Sequence, residues 1–152
     1  LIRKISVTEH FVHEAEIILR KSGAPVTVAR IHILAMLISE RRALSHHDIR
    51  DRLKGGPEID RVTIYRVLEW LCSVGLAHQV ASHDRLLRFG ADPANNWHQH
   101  AHFRCISCDE ITCLDGVQPK FDVPLPLGYR LKEMELTVRG LCPNCNPNEG
   151  EA

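Results

Sequence analysis

Between positions 98 and 108 the chain reads HQHAHFRCISC, which places three imidazoles and two thiols within one short stretch. A second thiol pair, CPNC, follows at Cys142 and Cys145. Two C-x-x-C knuckles supply four thiolates, the donor set that tetrahedral zinc prefers, and they leave no coordination position open for chemistry. Cys105, Cys108, Cys142 and Cys145 are therefore expected to hold a structural Zn2+. A thioredoxin-like dithiol would follow a strand and open a helix, a context that neither pair has. Sites of this kind carry on the order of 10 kcal/mol of apparent folding free energy in small peptides. The back third of the chain should depend on it.

The histidines point to a second site. His98, His100 and His102 alternate, so on a strand their rings share one face and can converge on one ion. Cys113 has no C-x-x-C partner and is a soft ligand in the same neighbourhood. Upstream, His78 and His83 in the expected hairpin could close a site between front and back halves. Mixed imidazole and thiolate donors favour Zn2+ over hard cations, and over iron when a thiolate replaces a carboxylate. The remaining five, His10, His13, His32, His46 and His47, are scattered and read as solvated or satisfied polar residues.

The elements that must position these groups divide the chain into residues 1–90, a polar linker at 91–97 within GADPANNW, and residues 98–152. Apolar spacing predicts a first helix with Val7, Phe11, Ala15, Ile18 and Leu19 on its buried stripe. A second, capped by Thr27, should face Ile31, Leu34, Ala35 and Ile38 inward. Ser45 and Asp48 form an approximate capping box for a third helix that ends before Gly55, Gly56 and Pro57. Asp60 caps a fourth, RVTIYRVLEWLCSV, which buries Ile64, Val67, Leu68 and Leu71. Cys72 in that helix reads as a small buried hydrophobe. The runs LAHQVA and RLLRF then form a hairpin. Helices followed by a two-stranded hairpin are the order of a winged helix-turn-helix. Beyond the linker come short strands at AHFRC and EITCL, a proline-studded connection, and a longer strand within RLKEMELTVRG. The fold class expected is α+β, a winged helix-turn-helix followed by a small zinc-stapled α/β domain.

The 152 residues carry 19 basic and 19 acidic side chains, so the whole chain has no net pull on a polyanion. Residues 1–92 hold 14 basic and 11 acidic groups, whereas residues 93–152 hold 5 and 8. This split permits a basic nucleic-acid face in front. The outer face of the fourth helix offers Arg61, Thr63, Tyr65 and Arg66: long donors and a ring on a surface locked to a core. One module of this size makes few phosphate contacts, so specific binding calls for a dimer. No stretch approaches the roughly 18 consecutive apolar residues of a membrane span, and no apolar run ends at a small-residue cleavage site. A cytoplasmic protein is expected. A hydrolase using an open zinc site is a poor fit, since HExxH is absent and Glu110 is the sole nearby glutamate that could serve as a base.

Taken together, VTIYRVLEWLCSVGL, HAHFRCISC and RGLCPNC resemble the ferric uptake regulator family of metal-responsive repressors, from about Val26 to Cys145. The first looks like that family's recognition helix with its Tyr-Arg pair, here Tyr65 and Arg66; the others resemble its His-x-His, C-x-x-C and closing Gly-x-C-x-x-C signatures. The resemblance implies an N-terminal winged helix, a C-terminal dimerisation domain, and repression by a metal-loaded homodimer on a palindromic AT-rich double-stranded DNA operator. It implies neither an enzyme nor a small-molecule substrate. Cys113 stands where iron and peroxide sensors of the family offer Asp or Glu, Ala43 where many offer a histidine, and His78 looks like a ligand of the zinc uptake regulators. The implied regulatory set is His78, His100, His102 and Cys113, holding zinc; an iron-, manganese- or peroxide-responsive regulator is the alternative. Two departures stand out. Pro25 replaces a basic residue before the second helix, and Pro119, Pro124 and Pro126 oppose a long regular helix in the back domain.

Overall fold

Three polar side chains start three of the four helices. Thr27 Oγ1 accepts from the Arg30 N–H, Ser45 and Asp48 exchange both bonds of a capping box, and Asp60 accepts from the Thr63 N–H at 3.0 Å. Each cap satisfies amide donors that the first turn leaves unpaired. The structure, a computed structural model, describes residues 9–40, 42–82, 84–91, 101–114, 117, 122–131 and 134–146. The chain divides into two units, Leu1–Asn95 and Asn96–Ala152.

The first unit runs α1 (Glu9–Lys21), α2 (Val28–Ser39), β1 (Leu44–Ser45), α3 (His46–Leu53), α4 (Arg61–Ser73), β2 (Ala77–Ala81) and β3 (Leu87–Ala91). Its sheet has the order β1-β3-β2, all antiparallel, with β2 and β3 as the expected hairpin. Ala15 and Leu19 from α1 and Ile64, Val67, Leu68 and Leu71 from α4 enter one core, as their spacing predicts; Val7 lies outside the described residues. Helix α2 departs from expectation. It buries Ile33, Leu34, Ala35, Met36 and Leu37 in a continuous run, while Ile31 and Ile38 are only partly covered. Contacts with α1, α4 and β3 explain this, because a central helix hydrophobic on several sides has no single inward stripe. Cys72 is half-buried against this core rather than fully enclosed, and burial pushes its thiol up to about 11.

Strand β1 is too short for sequence patterning to reveal. Its two residues, Leu44 and Ser45, pair with Phe89 and Arg88, which ties the start of α3 to the hairpin. Arg88 strengthens the tie: it bonds Asp84 at 2.7 Å and lies 3.9 Å from Asp48 of the capping box. At the other end, α4 stops where Gly75 takes φ 82°, a left-handed conformation that glycine adopts without a Cβ penalty, and Leu76 N–H closes on the Leu71 carbonyl at 2.9 Å.

The second unit is β-rich. Strands β4 (Ala101–Cys105), β5 (Ile111–Leu114) and β6 (Leu136–Gly140) form a sheet of order β5-β4-β6, with β5 antiparallel and β6 parallel to β4. The strand expected across RLKEMELTVRG is only five residues long. Among the described residues, β6 follows β4 residue by residue in parallel, from Leu136 opposite Ala101 to Gly140 opposite Cys105. Among the described residues 122–131 there is no helix, in keeping with Pro124 and Pro126; Pro119 lies outside them.

Candidate metal centre and nucleic-acid interface

The four knuckle cysteines converge. One sulfur from each of Cys105, Cys108, Cys142 and Cys145 lies within 4.8 Å of every other. Cys108 and Cys142 sulfurs are 3.7 Å apart. That is far beyond the roughly 2.05 Å of a disulfide, and close to the separation of two thiolates sharing a tetrahedral ion at about 2.3 Å each. Local backbone geometry builds the cradle. Asp109 adopts φ 62° and returns its N–H to the Cys105 carbonyl at 3.1 Å, while the Cys145 and Asn146 N–H groups both reach the Cys142 carbonyl at 2.9 Å. The buried Arg104 side chain grips Asp109 at 2.6 and 2.7 Å and holds that turn.

Sheet pairing brings the two knuckles together. Ile106 N–H bonds the Gly140 carbonyl at 2.8 Å, and Cys142 N–H points at the Cys105 sulfur at 3.4 Å. Gly140 makes room at that junction, because a Cβ there would sit 3.0 Å from the Phe103 ring, which would have to shift by a few tenths of an ångström. Backbone donors of Cys108 and Cys142 hold the Cys105 thiol down at about 6, so it is largely thiolate at neutral pH. Cys108 goes the other way. The Glu110 N–H favours its thiolate, but desolvation and three adjacent thiols push it up to about 12. Four crowded thiols that cannot all ionise alone are the chemistry a divalent cation resolves. The residues fit zinc, which they would hold as a closed structural site.

The second donor set is placed by register. His102 and Cys113 are directly opposite in the β4–β5 ladder, with one ligand atom of each within 4.8 Å of the other. His102 is buried and Cys113 half-buried. Glu135 brings a carboxylate oxygen to 3.8 Å from His102 Nδ1, a contact that residue spacing does not reveal, since it depends on the alignment of β6 with β4. His78 is on β2 of the first unit, half-buried and paired in register with Gly90. His83, His98 and His100 lie outside the described residues.

The outer face of α4 carries Arg61, Tyr65 and Arg66 exposed, with Thr63 half-buried. Thr63 Oγ1 donates to Asp60, so its proton is committed to the helix cap. Tyr65 is stacked on His46 of α3, with centroids 3.7 Å apart and planes inclined by 15°, and the Arg61 guanidinium carbon lies 5.7 Å from the tyrosine centroid. His46 is thus half-buried in a ring stack rather than fully solvated. Burial lowers its pKa, and the nearby Arg61, Arg50 and His47 oppose a further positive charge. His47 does remain exposed, 3.0 Å from Asp51. A cleft of about 580 Å³ between α3, α4 and the hairpin is lined by Arg50, Arg61 and Arg85 against one carboxylate, Glu69. Arg50 and Arg85 are cationic residues that helix patterning alone does not single out, because the hairpin turn decides where Arg85 sits. No helix among the described residues is long and apolar enough to cross a membrane.

A winged helix-turn-helix followed by a β-rich unit with a four-thiolate cluster is the architecture of a metal-dependent, DNA-binding transcriptional regulator. Residues 21–120 match the Ferric uptake regulator family, and the chain belongs to it. Proteins of this family are regulators and not enzymes, which removes the hydrolase alternative. The chain is 26% identical over 146 residues to the zinc uptake regulation protein of Escherichia coli (strain K12), covering 92% of this chain and 84% of that one. It is 29% identical over 125 residues to the ferric uptake regulation protein of Bacillus subtilis (strain 168), covering 78% and 83%. Among solved structures, a zinc uptake regulator complexed with zinc and DNA shares the fold with TM-score 0.63 and 22% identity, over 92% of this chain and 95% of that one.

Proposed function

We propose that this protein is a zinc-responsive repressor that binds a palindromic AT-rich operator as a homodimer. Each chain would carry one structural zinc on Cys105, Cys108, Cys142 and Cys145 and one regulatory zinc on His78, His100, His102 and Cys113, with His83 or His98 as substitute ligands. The observation that carries this reading is the opposition of His102 and Cys113 across β4 and β5. An imidazole facing a thiolate is a borderline-soft donor pair, suited to zinc and ill suited to Mn2+, which prefers oxygen. Glu135, beside His102 Nδ1, supports the same site, because metal-bound histidines are oriented by a carboxylate on the second ring nitrogen. The likeness to zinc uptake regulators over most of the chain supports it as well.

Arg61, Thr63, Tyr65 and Arg66 are the assigned DNA contacts. Arg66 would grip phosphate or a base edge, Tyr65 would meet a thymine methyl, and Arg61 lies at the incoming end of the helix. The dimer contact is assigned to β6. Among the described residues β6 is one of the two edges of its sheet, and Val138 on it and Leu141 just after it are exposed. An open edge carrying apolar side chains favours pairing with a second copy.

The alternative is an iron-, manganese- or peroxide-responsive regulator, favoured by the 29% identity to a ferric uptake regulation protein. Titrating free Zn2+, Fe2+ and Mn2+ in metal buffers separates the readings. The duplex would be one selected by this protein from a randomised pool, with the four-cysteine site filled beforehand. Zinc should drive DNA binding at the lowest free concentration; saturation by Fe2+ or Mn2+ below the zinc midpoint would overturn the zinc assignment.

A further inference from the structure

Tyr65 is 41% exposed, yet it is not a loose side chain. One face of its ring is covered by the His46 imidazole at 3.7 Å and 15°, a stacked geometry. His46 is in turn fixed from below. It is the first residue of α3, directly after Ser45, whose N–H and Oγ both bond Asp48 Oδ2, at 2.9 and 2.7 Å. Asp48 is itself approached by Arg88 of β3. The tyrosine plane is thereby referred back, through one stack and one capping box, to the hairpin. The groups around the stack are His47 and Arg50 on α3, Arg61 and Glu69 on α4, and Arg85 on the hairpin turn, a mostly cationic rim suited to a phosphate backbone.

We infer that His46 is a positioning residue for DNA reading: by stacking on Tyr65 it fixes the plane and direction of that ring before DNA arrives. The inference rests on the proposed reading in which α4 contacts DNA, and it adds a residue that touches no base. Its physical content is preorganisation. An aromatic side chain free to turn must be ordered when the complex forms, and a ring already held in place avoids that cost. Stacking needs a flat face of the right size and does not need a charge; burial and the neighbouring arginines lower the imidazole's pKa and so disfavour its charged form. Phenylalanine should therefore substitute for histidine, and leucine, similar in bulk but not flat, should not.

The test uses the zinc-loaded full-length chain and a pool of DNA duplexes randomised in their central segment. Wild type, Tyr65→Ala, His46→Phe and His46→Leu are each incubated with the pool, and the bound fractions are sequenced to give base preferences at every position. Tyr65→Ala should flatten the preference at a defined subset of positions. His46→Leu should flatten that same subset by roughly two- to tenfold, the size expected from losing an aromatic pair. His46→Phe should restore it. If Tyr65→Ala leaves every preference unchanged, the assignment of Tyr65 as a reader fails and the inference falls with it. If Tyr65→Ala flattens the subset but His46→Leu does not, the positioning role alone is overturned. That role is overturned as well if His46→Phe loses as much as His46→Leu, since ring stacking would then be irrelevant.

Discussion

Cys113 and His102 illustrate how much a single register position decides. Neither belongs to a knuckle, yet antiparallel pairing sets them face to face, where a thiolate and an imidazole can share an ion. If the proposed set of His78, His100, His102 and Cys113 senses zinc, Cys113→Ser and His100→Ala should each abolish zinc-dependent DNA binding while the thermal transition stays at full size. Retention of a normal zinc response in both would remove the ligand set. Arg66→Ala should weaken DNA binding about tenfold or more, the worth of one good base or phosphate contact, with zinc content unchanged by metal analysis. Unchanged affinity would move recognition off this side chain. At the knuckles, the thiols of Cys105 and Cys108 shift in opposite directions for different reasons: backbone donors converge on the first, while the second meets desolvation and competing sulfurs.

At the scale of elements, caps and pairings do the positioning. The Ser45–Asp48 capping box starts α3, seats His46 and meets Arg88 from β3. Ser45→Ala should cost about 1 kcal/mol of stability, the usual worth of an N-cap hydroxyl, read as a lower denaturant midpoint with unchanged slope. A change below the error of that measurement would show that β1 pairing, and not the cap, holds the start of α3. Helix α2 shows where patterning misleads. A helix covered by α1, α4 and β3 has no single stripe, so choosing Ile31 and Ile38 over Ile33, Met36 and Leu37 follows from assuming one buried face. Strand β6 is aligned by its partner β4, residue by residue from Leu136 opposite Ala101 to Gly140 opposite Cys105, and a sequence window cannot show the partner.

For the molecule as a whole, the four-cysteine cluster sets the dependence on metal. Among the described residues of the second unit the buried side chains are Ala101, His102, Arg104, Cys105, Ile111 and Cys142, and two of these six are thiols of the cluster. Cys105→Ser should lose the structural zinc and collapse this unit; a cooperative transition of wild-type size in that variant, measured by calorimetry, would contradict the staple. Regulation adds a second relation. If the second site regulates through zinc as proposed, metal and DNA binding are linked, and DNA raises zinc affinity by the factor by which zinc raises DNA affinity. Zinc at a hundredfold over its dissociation constant supplies at most about 2.7 kcal/mol of bias. Zinc affinities measured with and without the selected duplex should therefore differ by a matching factor; equal values would leave the second site without a regulatory role.

The chemistry is readable from residue type and spacing. Two C-x-x-C pairs are short-range patterns whose geometry is set by the turn between their members, and the caps of α2, α3 and α4 are likewise local arrangements between neighbours a few residues apart. The meeting of the two knuckles, the opposition of His102 and Cys113, the approach of Glu135 and the stack of His46 on Tyr65 all join residues distant in sequence. Those are decided only in three dimensions, because strand register and helix docking come from burying side chains against partners that no local window contains.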